Sequence, residues 1–355
     1  MSLHTPICDL FGVRYPIVQT GMGWVSGARL TAATSSAGAL GILAAATMTL
    51  SELEAAISEV RERTSKPFGV NLRADAPDID KRLDLLIREE VKVASFARAP
   101  GPEAIARLNE AGLITMPTIG AKRHAEKVAD WGVSALIAQG GEGGGHTGSV
   151  PTSILLPQVT SSVTVPVLGA GGFRCGRGLV AALAWGASGI AMGTRFLLTK
   201  ESTVPDEIKR RYLAAQVNET VVTTAVDGYP QRVIRTPVID RLEQAGWIGK
   251  LWTSFGHALS LSAVTGTGLF ELLREGSAMR KGGRLSWSQV AMAANAPMLT
   301  RASMVEGNTE SGILPTGQVV GVIEELPTVA ELIQDIVLQA ETTLASLSLK
   351  EAHSV

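Results

Sequence analysis

Short apolar runs recur from Pro16 to Met192, and each is followed by a glycine-rich or polar loop and then by a segment with helical periodicity. Continuous apolar runs bounded by turn residues are typical of strands that are buried on both faces of a parallel sheet. Between them, segments such as Ser51–Arg63 carry apolar residues at a spacing that places them on one helix face. The predicted strands are Pro16–Gln19, Leu40–Leu43, Phe68–Asn71, Val91–Phe96, Ile114–Pro117, Ala135–Gln139, Val165–Gly169 and Ile190–Met192.

The alternation of strand and helix predicts an α/β fold. Strand–helix units at a spacing of roughly 25 residues favour a (β/α)₈ TIM barrel, and an open doubly wound sheet is the alternative on the pattern alone. In a barrel, the loops after the C-terminal ends of the strands form the active-site face, so candidate functional residues are expected in those loops.

The alternation stops beyond Thr199. A helix is predicted over Asp206–Gln216 from its periodicity. The apolar runs Thr220–Ala225 and Gln231–Arg235 flank the turn Asp227–Pro230, a pattern that is typical of a β-hairpin.

Helical segments that carry glycine and tryptophan follow the predicted hairpin. This change predicts a second, smaller and mainly helical domain at residues 206–304, inserted after the eighth strand and covering the substrate. Residues 1–205 and 305–355 would form the barrel, and the amphipathic segment Thr328–Leu344 is expected to return as a helix that packs on it. Within the insertion, His257 is a candidate for lining a substrate pocket.

The composition restricts the kinds of ligand that the chain can bind. Hydrophobic residues make up 45% of it and the formal net charge is −1, which excludes binding of nucleic acid or an anionic membrane through bulk charge. The two cysteines, Cys8 and Cys175, are too few for a disulfide framework or a multi-thiolate metal site. No apolar run approaches the roughly 20 residues that a membrane span needs. We therefore predict a soluble, cytoplasmic protein that binds a small molecule and no metal.

Two glycine-bearing loops follow the seventh and eighth predicted strands, where barrels usually bind phosphate. They are Gly169–Gly172, with Gly176 opening the next helix, and Gly193–Phe196. Glycine amides at a helix N-terminus bind phosphate through N–H donors and the helix dipole, and the Thr194 hydroxyl adds a further donor. A phosphate site is therefore predicted, and the alternative is that barrel loops are simply rich in glycine.

The glycine-rich loop Gln139–Gly148 follows the sixth predicted strand and carries one histidine, His146. Imidazole exchanges protons near neutral pH, so His146 is a candidate general acid and base, with a structural histidine as the alternative. The loop formally matches a dinucleotide-binding fingerprint, but it runs towards Pro151 and lacks the acidic residue that such sites place about 20 positions further on. In the same loop, Glu142 is expected to face solvent.

Polar or glycine residues end several of the predicted strands. Asn71 and Gln139 end the third and sixth strands, and their amides are suited to binding the polar edge of a heterocycle. The first strand is followed by Gly21, Met22 and Gly23, whose backbone can approach a planar ring. A tight turn is the alternative there.

Together these motifs resemble the FMN-dependent nitronate monooxygenase (2-nitropropane dioxygenase-like) family and the related flavin-dependent enoyl-acyl-carrier-protein reductases. The segments that carry the resemblance are Pro16–Gly23, Lys66–Asn71, Gln139–Gly148, Pro166–Gly172 and Met192–Phe196. The resemblance covers nearly the whole chain and implies FMN in the barrel mouth, with His146 as the acid and base. The implied FMN contacts are Gly21, Met22, Gly23, Asn71, Gln139, Gly144 and Gly145 around the flavin, and Gly171, Gly172, Gly193 and Thr194 at the phosphate. Leu314–Gln318 also resembles a tail loop of the family that is expected beside the active site.

The first loop distinguishes two branches of this family. Many nitronate oxidisers have a proline before the first-strand methionine, whereas this chain has Gly21 and resembles the reductase branch more closely. That branch implies an FMN-dependent oxidoreductase that interconverts saturated and α,β-unsaturated acyl-CoA-type thioesters, with NAD(H) or NADP(H) as co-substrate. Some of its members, from steroid-degrading bacteria, desaturate a ring-bearing acyl-CoA. Nitronate monooxygenase and a non-catalytic flavin-binding sensor are the alternatives, and a homodimer is a candidate assembly.

Overall fold

The computed structural model describes residues 3–244, 297–310 and 312–351. Eight strands within them form one sheet: β1 (Ile17–Gln19), β2 (Leu40–Ala44), β3 (Phe68–Leu72), β4 (Val93–Phe96), β5 (Ile114–Ile119), β6 (Leu136–Gln139), β8 (Val167–Ala170) and β9 (Gly189–Met192). The short strand β7 (Gly145–His146) lies outside this sheet. Neighbouring strands are parallel and β1 pairs with β9, so the sheet closes into a barrel. The predicted (β/α)₈ barrel is therefore confirmed, and the open-sheet alternative is wrong.

Helices alternate with these strands and bury their apolar faces against the outside of the barrel. They are α2 (Ala28–Ser36), α3 (Leu50–Arg63), α4 (Ile79–Arg88), α5 (Pro102–Glu110), α6 (Lys122–Ala129), α7 (Thr152–Thr160), α8 (Gly176–Ala184) and α9 (Thr194–Leu197), whereas α1 (Pro6–Phe11) precedes the first strand. The start of α3 is fixed by a capping box. The Thr49 hydroxyl accepts from the Glu52 N–H (3.3 Å), and the Glu52 carboxylate accepts from the Thr49 N–H (2.7 Å). Among the described helices, none is both long and apolar enough to cross a membrane.

The barrel interior is packed with side chains and is closed at one end. Inward-facing residues such as Ile42 and Met116 form a buried cluster. Ile7, Cys8 and Phe11 of α1 join that cluster from below the N-terminal ends of the strands, and all three are buried. Because α1 seals this end, the described part of the chain leaves open the face formed by the C-terminal ends of the strands.

The segment after β9 contains α10 (Asp206–Leu213), the antiparallel strands β10 (Thr220–Thr223) and β11 (Gln231–Ile234), and α11 (Pro237–Gln244). The predicted hairpin is therefore confirmed. β11 also pairs antiparallel with β7, so that β10, β11 and β7 form a three-stranded sheet. This sheet joins the hairpin to the glycine-rich loop. The remaining predicted helical segments, together with His257, lie outside the described residues.

The C-terminal helix (Val329–Glu351) returns to the barrel, as predicted, and packs against α8 and α2. Its buried face includes Leu332 and Ile336. Gly176 allows this close approach, because a Cβ at that position would lie 2.3 Å from the carbonyl oxygen of Ile336.

Candidate active site

The loops after the barrel strands bring the predicted ring-binding residues together. Gly21, after β1, lies against Asn71 near the end of β3: a Cβ on Gly21 would stand 2.4 Å from the Asn71 Cβ. Met22 approaches the loop after β9, because its Sδ would lie 3.3 Å from a Cβ on Gly193. The Asn71 amide donates a hydrogen bond to Ser95 at β4 (3.2 Å). Four strand ends thus meet at this point, and binding of a planar ring there stays a prediction.

The two loops predicted to hold a phosphate present backbone donors at neighbouring strand ends. Gly171 and Gly172, directly after β8, adopt φ angles of +95° and +84°, a left-handed conformation that favours glycine. The buried Thr194 hydroxyl accepts from the Gly317 N–H (2.8 Å), which leaves its own O–H free to donate. Within the described ranges, the amides of Gly172 and Thr194 have no acceptor in the protein. Donors of this kind bind phosphate, so the geometry agrees with the predicted role.

The tail segment Leu314–Gln318 packs against the glycine-rich loop. The Gln318 N–H donates to the Glu142 carbonyl oxygen (2.9 Å). A Cβ on Gly144 would stand 2.5 Å from the backbone nitrogen of Gly317, so only glycine allows the two segments to approach this closely. The tail segment therefore lies against the glycine-rich loop, and its place beside an active site stays a prediction.

Gln139 fixes the path of the glycine-rich loop. Its side-chain amide donates to the carbonyl oxygen of His146 (2.8 Å). Gly143 lies directly against that side chain, since a Cβ on Gly143 would stand 2.6 Å from the Gln139 Nε2. Gly145 adopts a φ of +63°, and no atom lies within 4 Å of its would-be Cβ. One N–H of the Gln139 amide, which the sequence assigns to a cofactor edge, therefore already holds the backbone of His146.

Glu142 is half-buried and its carboxylate is bound by the start of a helix, so the expectation that it faces solvent is wrong. Its carboxylate accepts hydrogen bonds from the backbone N–H (2.9 Å) and the hydroxyl (2.7 Å) of Thr152, the first residue of α7. Pro151, the residue before α7, has no side-chain acceptor for the unpaired N–H groups of the first helical turn. A carboxylate from the glycine-rich loop satisfies one of them and interacts favourably with the helix dipole.

Replacing Glu142 by alanine is expected to lower the free energy of unfolding by about 1 kcal/mol, the usual contribution of a helix-capping side chain. Thermal unfolding of the purified protein, monitored by circular dichroism, should show a midpoint that is lower by roughly 2 °C. Glu103→Ala is the matched control, because Glu103 is an exposed carboxylate in the first turn of α5. Equal shifts in both variants would contradict the capping role.

His146 is paired with a carboxylate that comes from the hairpin. The Nε2 of His146 lies 2.7 Å from the Oδ2 of Asp227, although the two residues are 81 positions apart. The imidazole is 61% exposed at the barrel mouth, whereas the Asp227 side chain is only 8% exposed. A buried carboxylate therefore contacts one edge of a solvent-accessible imidazole.

Three donors hold the Asp227 carboxylate in place. Besides His146, the Tyr229 N–H donates to Oδ1 (3.1 Å) and the Gln231 side-chain amide donates to Oδ2. Burial alone would raise the pKa of Asp227, but the hydrogen bond and charge of His146, with the Tyr229 and Gln231 donors, hold that pKa below its usual range. Asp227 is therefore an anion at neutral pH.

Tyr229 and Arg98 extend this cluster across the mouth. The Tyr229 ring meets the His146 ring edge to face, with 6.0 Å between centroids. The Arg98 guanidinium, just after β4, lies 5.0 Å from the centroid of the Tyr229 ring. The sequence indicates Asp227 and Tyr229 only as turn residues of the hairpin. A buried aspartate in a turn is the one feature that could have drawn attention to them, and burial cannot be read from the turn itself.

The two cysteines lie in separate parts of the fold. Cys8 packs in the closed end of the barrel, and Cys175 immediately precedes α8. In the parts of the chain that the structure describes, no group of three or more histidine, cysteine, aspartate or glutamate side chains could hold a metal ion.

The chain is similar over its whole length to characterised proteins. The family model described as nitronate monooxygenase matches residues 4–81 and 78–339. The (3aS,4S,5R,7aS)-5-hydroxy-7a-methyl-1-oxo-octahydro-1H-indene-4-carboxyl-CoA dehydrogenase of Mycobacterium tuberculosis (strain ATCC 25618 / H37Rv) is 55% identical over 98% of this chain and 99% of its own. A Rhodococcus jostii (strain RHA1) protein of the same name is 55% identical over 96% of each chain.

A solved structure is also similar to nearly the whole chain. The structure of FabK from Thermotoga maritima superposes with a TM-score of 0.80 and 34% identity, and the match covers 97% of this chain and 98% of that chain. The family model spans the barrel, the hairpin that carries Asp227 and the tail segment beside the glycine-rich loop. The chain therefore belongs to the nitronate monooxygenase family.

Proposed function

We propose that the protein is an FMN-dependent oxidoreductase that interconverts saturated and α,β-unsaturated acyl-CoA thioesters, with NAD(H) or NADP(H) as electron partner. The observation that carries this proposal is the 55% identity, over nearly the full length of both chains, with a dehydrogenase named for a ring-bearing carboxyl-CoA substrate. The open barrel face with its carboxylate-paired imidazole supplies the acid–base group that such a reaction needs.

The residues at the ends of β8 and β9 fit the phosphate of FMN. Thr194 offers a hydroxyl and a backbone amide, Gly172 offers a second amide, and Gly171 and Gly193 add no side chain that would obstruct the approach. The contacts proposed around the flavin are Gly21, Met22, Gly23, Asn71, Gln139, Gly144 and Gly145. Bound FMN would supply a reversible acceptor for the hydride that leaves the β-carbon.

His146 is proposed to move the proton. The thioester carbonyl acidifies the α-carbon, and the imidazole takes the proton from it, so that loss of one proton and one hydride leaves a Cα=Cβ double bond. In the opposite direction the imidazolium returns the proton to the α-carbon. The electron pair finally reduces NAD⁺ or NADP⁺, which balances the reaction. The exposure of the His146 ring at the mouth supports its access to a substrate.

The insertion at 206–304 is proposed to cover the substrate. Its hairpin contacts the mouth through Asp227 and His146. Its described C-terminal part returns to the other side of the mouth, where the Trp24 indole N–H donates to the Pro297 carbonyl oxygen (3.1 Å) and the Arg301 guanidinium lies 5.6 Å from the centroid of the Trp24 ring. Anchors on both sides of the mouth support a covering role for an apolar, ring-bearing acyl group.

Nitronate oxidation is the competing function, and the family model favours it by its description. Both reactions use a base beside an acidic carbon, so the barrel mouth alone does not separate them. Gly21, where many nitronate oxidisers carry proline, favours the thioester reaction.

Anaerobic mixing of the purified yellow protein with single substrates separates the two functions. We expect flavin absorbance to bleach with NADH or NADPH, or with a saturated ring-bearing acyl-CoA. Bleaching by an alkyl nitronate alone, without any response to nicotinamide or thioester, would overturn the proposed function. A purified protein that takes up no FMN would overturn the cofactor assignment.

A further inference from the structure

We propose that Asp227 is a positioning residue that keeps the proton of neutral His146 on Nε2, so that Nδ1 is the atom that exchanges a proton with the substrate. The inference deepens the proposed function and rests on His146 acting as its acid and base. It assigns to the hairpin a part in the chemistry in addition to its part in covering the site.

The side chains of His146 and Asp227 are in hydrogen-bonding contact. The His146 Nε2 lies 2.7 Å from the Asp227 Oδ2, a normal distance for a charge-assisted hydrogen bond. An ionised carboxylate can only accept, so the proton of this bond must reside on Nε2. A neutral imidazole carries one N–H, and its Nδ1 is therefore the free base.

The Asp227 carboxylate cannot turn away from the imidazole ring. The Tyr229 N–H holds Oδ1 at 3.1 Å. On the other side, the residue Gln231 is 5% exposed, and its side-chain amide donates to the same Oδ2 that contacts His146. The Gln231 Nε2 also lies 3.2 Å from the His146 Nε2. Since both nitrogens point at one carboxylate oxygen, both act as donors to it.

Strand pairing places the Asp227 carboxylate beside the imidazole. In the β11–β7 ladder, Gln231 lies directly opposite His146, and Arg232 lies opposite Gly145. This antiparallel register sets the hairpin turn, and with it Asp227, beside the imidazole. A slip of one residue would send the side chains of β11 to the other face of the small sheet.

The two nitrogens of the His146 imidazole differ in their hydrogen-bonding partners. Among the described residues, no hydrogen-bonding group is recorded on Nδ1, whereas Nε2 contacts both Asp227 and Gln231. A proton accepted at Nδ1 would create an imidazolium whose charge lies next to a fixed anion. The assignment of the two nitrogens is the reverse of that in a Ser–His–Asp triad, where the carboxylate holds Nδ1 and Nε2 moves the proton.

The test measures the tautomer directly. Two-bond ¹H–¹⁵N correlations of the imidazole rings are recorded on the FMN-bound protein labelled with ¹⁵N-histidine. The chain contains five histidines, and the signals of His146 are those that disappear in His146→Gln. We expect the neutral ring of His146 to carry its proton on Nε2 in the unsubstituted protein. A proton on Nδ1 would overturn the inference.

Asp227→Asn provides the second readout. The asparagine keeps the shape of the side chain, but its amide can donate to Nε2, so the Nδ1–H tautomer should become populated and kcat should fall by roughly 10²-fold or more. The KM for the thioester should stay within about twofold, because a positioning residue acts on the chemical step. Unchanged kcat together with an unchanged tautomer would show that Asp227 is only structural.

Asp240→Asn is the matched control, because Asp240 is a carboxylate of the same insertion that pairs with Arg235 (2.8 Å) away from His146. It should change neither the tautomer nor kcat. Failure of the proposed function is recognised separately. If His146→Ala turned over normally, the acid–base role would be lost while the measured tautomer still stood.

Discussion

Replacing His146 by alanine is expected to lower kcat for thioester dehydrogenation by about 10²–10⁴-fold, the usual contribution of a positioned general base. FMN should remain bound, since the imidazole is 61% exposed and the proposed phosphate contacts lie on the loops after β8 and β9. The two effects are measured separately, turnover by the reduction of nicotinamide and cofactor content by the absorbance of flavin released on denaturation.

His124→Ala is the control for this variant, because His124 is an exposed histidine of α6 on the outside of the barrel. It should leave both turnover and cofactor content unchanged. Full activity in His146→Ala would remove the imidazole from the mechanism. Loss of FMN in that variant would show that the imidazole contributes to the cofactor site.

Replacing Gly144 by alanine should weaken FMN binding by about tenfold or more. The new Cβ would stand 2.5 Å from the carbonyl carbon of Thr316 and from the nitrogen of Gly317, and backbone atoms cannot give way as a flexible side chain can. The tail segment must therefore shift, which removes the Gly317 N–H from the Thr194 hydroxyl. Without that contact the Thr194 O–H is no longer held where it can donate to a phosphate, and a hydrogen bond to a charged group contributes roughly 1.5–3 kcal/mol. A change of about 1.4 kcal/mol corresponds to a tenfold change in Kd.

Gly148→Ala tests whether this effect is specific. Gly148 lies in the same loop, and its would-be Cβ meets only the carbonyl oxygen of Gly120 at 3.8 Å, an ordinary contact. Titration of the apo protein with FMN, followed by the quenching of flavin fluorescence, gives Kd for both variants. Equal Kd values for Gly144→Ala and the unsubstituted protein would show that the tail segment does not support the phosphate site.

The barrel was predictable because its strands are short apolar runs in regular alternation with helices. The ends of the strands were less certain. The predicted strand Val91–Phe96 begins at Val93 in the structure, since Val91 still belongs to the exit from α4, where its N–H bonds the Leu86 carbonyl oxygen. Hydrophobicity alone does not distinguish such an exit from a strand.

The predicted loops at the barrel mouth could also be read from the sequence, because glycines after successive strands of a barrel must meet on one face. The Asp227–His146 pair could not. It depends on the register between β11 and β7, two short strands far apart in the chain, and neither strand has a pattern that selects the other. Glu142 was misjudged for a related reason, since its partner is a helix start that the local sequence does not identify.

The sheet formed by β10, β11 and β7 also limits how the protein can be re-engineered. One strand of that sheet carries the imidazole and belongs to the glycine-rich loop after β6, and the other two belong to the segment proposed to cover the substrate. An insertion transplanted from a relative to change substrate preference would bring its own hairpin, and with it a new neighbour for the imidazole. The proposed substrate-covering role and the proposed proton-transfer role are therefore structurally linked in this chain, and a graft must preserve the pairing of Gln231 with His146.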